Sequence, residues 1–305
     1  MGTFDDFAPI AGRPMALAPD LALVLAPNPS PMTYLGTNTF LLGQETLAII
    51  DPGPDDTVHL QALLEAINGR PVSHIFVTHS HLDHSPLARR LSDRTHAPIY
   101  AFGDSTAGRS TIMTQLSTKG LIGGGEGVDR NFAPDCLLAD GQTVAAECGE
   151  IVALHTPGHM GNHLCFKWKD AVFSGDHVMG WASSLVSPPD GDLTDFMASC
   201  AKLQALDTKI FYPAHGAPIT SPGKRLAWLV DHRLNRENQI LAALGKQPKT
   251  PQDLTNDIYK DTPSNLRAAA ERNVFAHLVD LLHRKKIAVQ GPLSIDAFFC
   301  ETEAK

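Results

Sequence analysis

Three histidines and one aspartate stand within six residues in Thr78-His79-Ser80-His81-Leu82-Asp83-His84. Imidazole and carboxylate suit zinc and similar divalent metals, and four such groups this close can hold two ions side by side. The segment follows an apolar strand, His74-Ile75-Phe76-Val77, and precedes Ser85-Pro86, the start of a helix. The end of a strand therefore delivers several ligand-type side chains into one loop. Three more candidates share that setting: His159 after Thr156-Pro157-Gly158, Asp176 after Phe173-Ser174-Gly175, and His215 after Phe211-Tyr212-Pro213-Ala214. Strand ends gathered along one sheet edge are where loops assemble a site. The small residues beside these candidates let the backbone turn sharply and approach a metal closely.

The elements that must position these groups are legible as short β-rich runs up to about residue 220. Strands are expected at Leu21–Ala26, Thr39–Leu42, Leu47–Ile50, His74–Thr78, Pro98–Ala101, Ile151–His155, Leu164–Trp168, Ala171–Ser174 and Lys209–Tyr212. All are rich in β-branched or aromatic residues and bounded by Gly, Pro or Asp. Helical spacing runs through Val58–Ile67 and Asp195–Leu206, so the body is a layered α/β structure. Residues 104–135, with Gly123-Gly124-Gly125-Glu126-Gly127, read as a mobile loop holding a short helix before the glycines.

Beyond residue 220 the texture becomes helical. Ser221-Pro222, Thr250-Pro251 and Thr262-Pro263 each place a capping hydroxyl before a proline at a first helical position. Leu226, Leu229, Val230, Leu234 and Leu241 fall near one face of the first helix, and Val274, Phe275, Leu278 and Leu282 along the third. Gly291-Pro292 then turns the chain into a strand over Leu293–Phe299. Three helices and a terminal strand outline a small winged-helix unit. The domains are thus expected at 1–220 and 221–305.

Composition bounds the function. At 305 residues, 43% hydrophobic and 19% charged, the chain has the makeup of a soluble globular protein. No apolar run approaches the ~20 residues of a membrane helix, and no basic-then-apolar leader opens the chain. Gly2 after Met1 is a weak lipidation signal, because acidic residues follow it. Five scattered cysteines, Cys136, Cys148, Cys165, Cys200 and Cys300, lack metal-clip spacing and read as reduced thiols of a cytoplasmic protein. From Ser221 onward there are 13 Lys+Arg against 10 Asp+Glu, a balance of +3, which leaves −11 for the first 220 residues. That asymmetry favours two modules and weakly favours an anionic partner at the tail.

The order His-x-His-x-Asp-His, Gly-His, Gly-Asp and His-Gly resembles the metallo-β-lactamase superfamily over roughly residues 20–220. The resemblance implies an αββα sandwich with the metals at one rim. It implies that His79, His81 and His159 bind one ion, that Asp83, His84 and His215 bind the second, and that Asp176 bridges both. Two Zn2+ per chain are expected, with Fe or Mn as alternatives. Asp51, in Ile49-Ile50-Asp51-Pro52-Gly53, matches the family's early structural aspartate, which supports the ligand loop from behind. The resemblance also implies a catalytic role for Asp83, orienting an attacking hydroxide shared by two metals or taking a proton later. His163 is a candidate for reaching substrate, with a structural role as the stronger reading. His177 should point away from the cluster, and His155, His59, His74, His96, His232, His277 and His283 read as structural or surface residues.

The family hosts many reactions, so the fold leaves the scissile bond open among ester, thioester, lactone and phosphodiester. True β-lactamase activity is disfavoured by the bridging aspartate and the missing export signal. A glyoxalase-II-like thioesterase shares that aspartate. The tail, around Asp257-Ile258-Tyr259 and His277-Leu278, resembles the winged-helix module of lactamase-like proteins that include a mitochondrial single-strand endoribonuclease. The partner is accordingly a small-molecule substrate or single-stranded RNA, with no membrane. The mild positive balance and the 7% aromatic content speak against a dense RNA-binding face. The non-enzymatic alternative, a metal-binding scaffold with a winged-helix interaction module, has no need of so complete a ligand set.

Overall fold

The computed structural model describes residues 7–125, 127–244 and 247–302. The first sheet runs β1 (Met15–Ala18), β2 (Leu21–Leu25), β3 (Asn38–Leu42), β4 (Leu47–Ile50), β5 (Val72–Phe76), β6 (Ile99–Ala101) and β7 (Cys136–Leu137) in that order. Pairing is antiparallel as far as β4 and parallel beyond it. The second sheet runs β12 (Ile210–Pro213), β11 (Ala171–Gly175), β10 (Leu164–Trp168), β9 (Gly149–His155) and β8 (Thr143–Ala146).

The period-2 alternation of the strands decides which residues meet. Leu23, Phe40, Leu42, Ile50 and Phe76 face inward against Phe166, Phe173 and Tyr212 of the second sheet. Their neighbours Val24, Leu41, Ile49 and Ile75 face outward beneath α1 (Thr57–Ile67) and α2 (Leu87–Thr95). Val172 and Phe211 of the second sheet pack likewise under α4 (Leu193–Gln204) and α5 (Pro222–Leu244). The body is therefore the αββα sandwich expected.

The C-terminal core gathers Ile240 and Leu244 of α5, Leu254 of α6 (Pro251–Ile258), Val274, Phe275 and Leu278 of α7 (Arg267–His283), and Phe299. It also takes Met113 and Leu116 from α3 (Thr111–Thr118), the short helix inside the long 104–135 segment. That excursion is pinned to the tail before its glycines begin. No helix among the described residues is long and apolar enough to cross a membrane.

Four expectations need correction. The strand placed at Leu293–Phe299 is instead the hairpin β13 (Ile287–Gln290) and β14 (Phe298–Glu301), turned at Gly291 with φ +78°. Thr262-Pro263 does not cap a helix: a 3-10 turn over Ser264–Leu266 intervenes, and α7 starts without a side-chain cap. Thr250 does cap α6, in a reciprocal capping box with Asp253. The apolar stripe of α5 runs Leu226, Leu229, Arg233, Ile240, Leu244, while Leu234 is exposed. A buried arginine occupies the place periodicity gave to a leucine. Finally, β5 stops at Phe76, because the Thr78 amide turns from the ladder to the Asp51 carboxylate.

Candidate metal centre

The ends of β5, β9, β11 and β12 lie at one rim of the sandwich and carry every ligand-type residue singled out above. Two glycines make the approach possible. At Gly175 (φ +49°) a Cβ would lie 2.5 Å from His163 Nε2, and at Gly158 (φ +139°) it would strike the Phe196 backbone at 2.3 Å. Asp51, just past β4, holds φ +52° without being glycine. Its carboxylate accepts from the Thr78 amide at 2.7 Å, from Thr78 Oγ1 at 2.7 Å and from His84 Nδ1 at 3.0 Å. A residue held in that region costs about 1–3 kcal/mol. Hydrogen bonds to a charged acceptor contribute about 1.5–3 kcal/mol each, so the strained turn is held.

Two groups of donors result, His79–His81–His159 and Asp83–His84–Asp176–His215, each with its ligand atoms within 4.8 Å of one another. In the first, His81 Nδ1 lies 2.9 Å from His79 Nε2 and 3.0 Å from His159 Nε2. In the second, Asp83 Oδ2 lies 3.2 Å from both His84 Nε2 and His215 Nε2. Asp176 divides its oxygens between the groups: Oδ1 is 3.2 Å from His215 Nε2, and Oδ2 is 3.6 Å from His159 Nε2. The carboxylate thus faces both halves.

Four of the five imidazoles are steered from behind through Nδ1. The partners are Thr78 Oγ1 for His79 (3.0 Å), Asp51 for His84, the Leu185 carbonyl for His159 (2.7 Å) and the Gly36 carbonyl for His215 (3.1 Å). Each ring is left with Nε2 aimed at the cluster.

The halves differ electrically. Burial pushes His79 down, helped by His84, His81 and His159, and pushes His81 down to about 3, helped by His159. Burial likewise lowers His159 against the pull of Asp176. In the other half burial also favours the neutral imidazole, but Asp83, Asp176 and Asp51 outweigh it and raise His84 well above its ordinary value. Asp176 and Asp83 raise His215 to about 10. Burial opposes ionisation of Asp83 and Asp176, yet the facing histidines hold both carboxyls well below the usual range.

These donors fit divalent ions. His84 Nε2, His215 Nε2, Asp176 Oδ1 and Asp83 Oδ1 are buried without a hydrogen-bond partner. The first three nevertheless approach one another closely, so their atoms face a shared point rather than each other. The 2.9 and 3.0 Å separations of His81 Nδ1 from His79 Nε2 and His159 Nε2 come near the edge of about 3.3 Å that nitrogens make around tetrahedral zinc at ~2.0–2.1 Å. Left uncompensated, such buried groups would each cost about 1–3 kcal/mol.

The remaining sequence candidates divide. His163 is fully buried; its Nδ1 meets Thr156 Oγ1 at 3.0 Å and its Nε2 accepts the Asp176 amide at 3.2 Å. It braces the Asp176 turn and has no nitrogen left for substrate, which corrects the expectation placed on it. His177 points away, 3.6 Å from Cys200 Sγ and over Phe196. Over the cluster lies a cavity lined by Met32, Gly125, Met179 and Leu185 together with His81, Asp83, His159 and Asp176. The Leu185 carbonyl and this apolar wall carry no sequence signal. They are placed by the segments 29–38, 104–135 and 177–194.

With the geometry established, comparison with known proteins is direct. Residues 32–215 match the family model described as "Metallo-beta-lactamase superfamily", and residues 250–292 match "Beta-lactamase associated winged helix domain". A Caenorhabditis elegans protein named "Beta-lactamase-like protein 2 homolog" is 30% identical over 82% of this chain and 80% of its own length. An Aspergillus fumigatus protein named "Atrochrysone carboxyl ACP thioesterase" is 32% identical over 75% of this chain and 66% of its own. Among solved structures, a beta-lactamase domain protein from Burkholderia ambifaria superposes with a TM-score of 0.79 at 21% identity, covering 98% of this chain and 96% of that one.

Proposed function

The chain belongs to the metallo-β-lactamase superfamily and is a hydrolase of it; we propose that it cleaves acyl thioesters at a centre for two divalent ions, zinc in first place. The observation that carries the substrate class is the wall of the cavity above the cluster. Met32, Met179 and Leu185 make it apolar, and none of its described lining residues is Lys or Arg. Leu82 stands exposed between two ligand-type residues, and outside the cavity Tyr34 stacks on Trp181 at 5.1 Å. An apolar wall of this kind favours an acyl group over a charged one. A phosphodiester backbone calls for cations that these residues do not provide. The thioesterase named among the relatives supports the same choice.

In this reading residues 1–220 form the catalytic body and 221–305 the winged-helix domain, in a cytoplasmic protein with a small-molecule substrate. His79, His81 and His159 would hold one ion and Asp83, His84 and His215 the other, with the Asp176 carboxylate available to both. Divalent ions bound there would supply water activation and Lewis-acid polarisation of an acyl carbonyl. Asp83 has Oδ1 buried without a partner, so it orients the attacking water and receives its proton. Asp51 keeps His84 and the Thr78 turn in register. Met32, Met179 and Leu185 exclude bulk water and seat the acyl group.

The test is thiol release from an acyl N-acetylcysteamine thioester by metal-loaded protein, beside an Asp83→Ala variant and a labelled single-stranded RNA. Thiol release that is lost in the variant, with RNA intact, is the expected result. RNA cleavage without thiol release would overturn the thioester reading and leave the endoribonuclease.

A further inference from the structure

The winged-helix region reaches into the metal centre. Segment 184–187 carries the Leu185 carbonyl that accepts from His159 Nδ1 at 2.7 Å. On either side of that carbonyl, the backbone is held by two residues of the C-terminal helices. Asn273 Oδ1, from α7, accepts the Val186 amide at 3.1 Å, and the Arg233 guanidinium, from α5, donates to the Ser184 carbonyl. The pair is itself joined: Arg233 Nη1 donates to the same Asn273 Oδ1 at 3.0 Å, and Asn273 Nδ2 donates to the Ala269 carbonyl at 3.2 Å.

Arg233 makes this arrangement unusual. It is 3% exposed, and no carboxylate pairs with it among the described residues; its company is the Ser184 carbonyl, Asn273 and the face of Phe196 at 5.1 Å. Burying a guanidinium among dipoles alone costs several kcal/mol before compensation. An apolar side chain would satisfy the packing of α5 better. The charge in the stripe is explained by what it holds, a loop carbonyl next to the one that orients a ligand-type histidine.

The adjacent residue extends the grip. Arg272 Nη1 donates to the Ile122 carbonyl at 2.6 Å, and the Gly124 amide donates to Ser187 Oγ at 2.9 Å. Two walls of the cavity are therefore tied to α7.

We infer that Arg233 and Asn273 are positioning residues for the metal centre: through Ser184 and Val186 they fix the Leu185 carbonyl, which selects the Nδ1–H tautomer of His159 and aims Nε2 at the ion. The C-terminal domain thereby sets ion affinity in the three-histidine half. This rests on His159 holding an ion, and the outcomes below separate the two claims.

The test is a competition titration of the full chain with Zn2+ against a chromophoric chelator. Asn273→Ala is expected to weaken one of the two ions about 10-fold or more and leave the other within about twofold. Asn273→Asp keeps the acceptor for Val186 and Arg233 and is expected to restore affinity. Equal affinities in wild type and Asn273→Ala, or equal weakening of both ions, would overturn the inference. A wild type that binds no Zn2+ would overturn the metal reading instead. The ring 15N shifts of His159 in the wild type decide the inference without any variant. Protonation at Nδ1 supports it, and protonation at Nε2 with Nδ1 bare refutes it.

Discussion

The rim of the body and the helices of the tail build the same site by opposite means. At the rim, four ligand-type residues come from one heptapeptide, and each of the others follows a strand end by one to four residues. In the tail, Arg233, Arg272 and Asn273 act across 49, 84 and 87 residues of chain, through backbone groups of loops. Chemistry that needs particular side chains leaves a spacing; chemistry that needs a carbonyl held in place leaves almost none.

The largest effect is expected at Asp176, where the rim's two halves meet. Asp176→Ala should lower thioester kcat/KM about 10³-fold or more, since the ions' charge stabilisation amounts to several kcal/mol. It should also cost ions from both halves, measured by elemental analysis after gel filtration. Loss confined to one half would show that the carboxylate does not span them.

Next in size is Asp51→Asn. It weakens the hold on His84 directly and on His79 only through Thr78, and should loosen the ion at His84 the more, by about 10- to 100-fold. Paired with Asn273→Ala it asks whether rim and tail govern different halves. Opposite halves are expected, and a zinc titration of the double variant should show both weakened.

Acid sharpens the regional contrast through stability. His59, under the rim, is pushed down to about 4 by burial against the pull of Asp56, and hydrogen-bonds Thr39 at 2.9 Å. His277, in α7, is pushed well below its ordinary value by burial, with Arg233, Arg236, His232 and Arg284 adding to the effect. Neither ring gains a proton in the fold near pH 6, whereas the unfolded chain does. Stability is therefore complete above about pH 6.5 and declines as pH falls through the folded values. At pH 5 a fully shifted histidine costs on the order of 2 kcal/mol. His277 has both nitrogens unpartnered, so His277→Leu should be close to neutral at pH 7 and more stable than wild type at pH 5, read by urea midpoints. A variant that loses stability equally at both pH values would refute the buried neutral ring.

The smallest effect is expected at Arg272→Ala, which frees the Ile122 and Pro188 carbonyls. Reordering the wall on binding should raise KM about 2- to 10-fold with kcat and ion content unchanged. A fall in ion content would place Arg272 with Arg233 and Asn273.

The sequence carried a layered α/β body and the ligand-type set, because strand runs and clustered imidazoles are local patterns; the αββα order came only through the family resemblance. Asp51 was visible only through family resemblance, since one aspartate after a strand has no signature of its own. His163 stayed between two readings because a histidine beside a ligand loop looks the same whether it faces substrate or braces a turn. Arg233 was hidden by the expectation that a helix's buried stripe is apolar, and β13 by its start four residues beyond the end of α7.

A two-ion thioesterase is tested by the number of ions per chain in active protein, measured by elemental analysis alongside thiol release. Two ions per chain in wild type, with activity falling as His159→Ala and His215→Ala each remove one, is the predicted result. Full thioester hydrolysis by a chain holding one ion or none would contradict it.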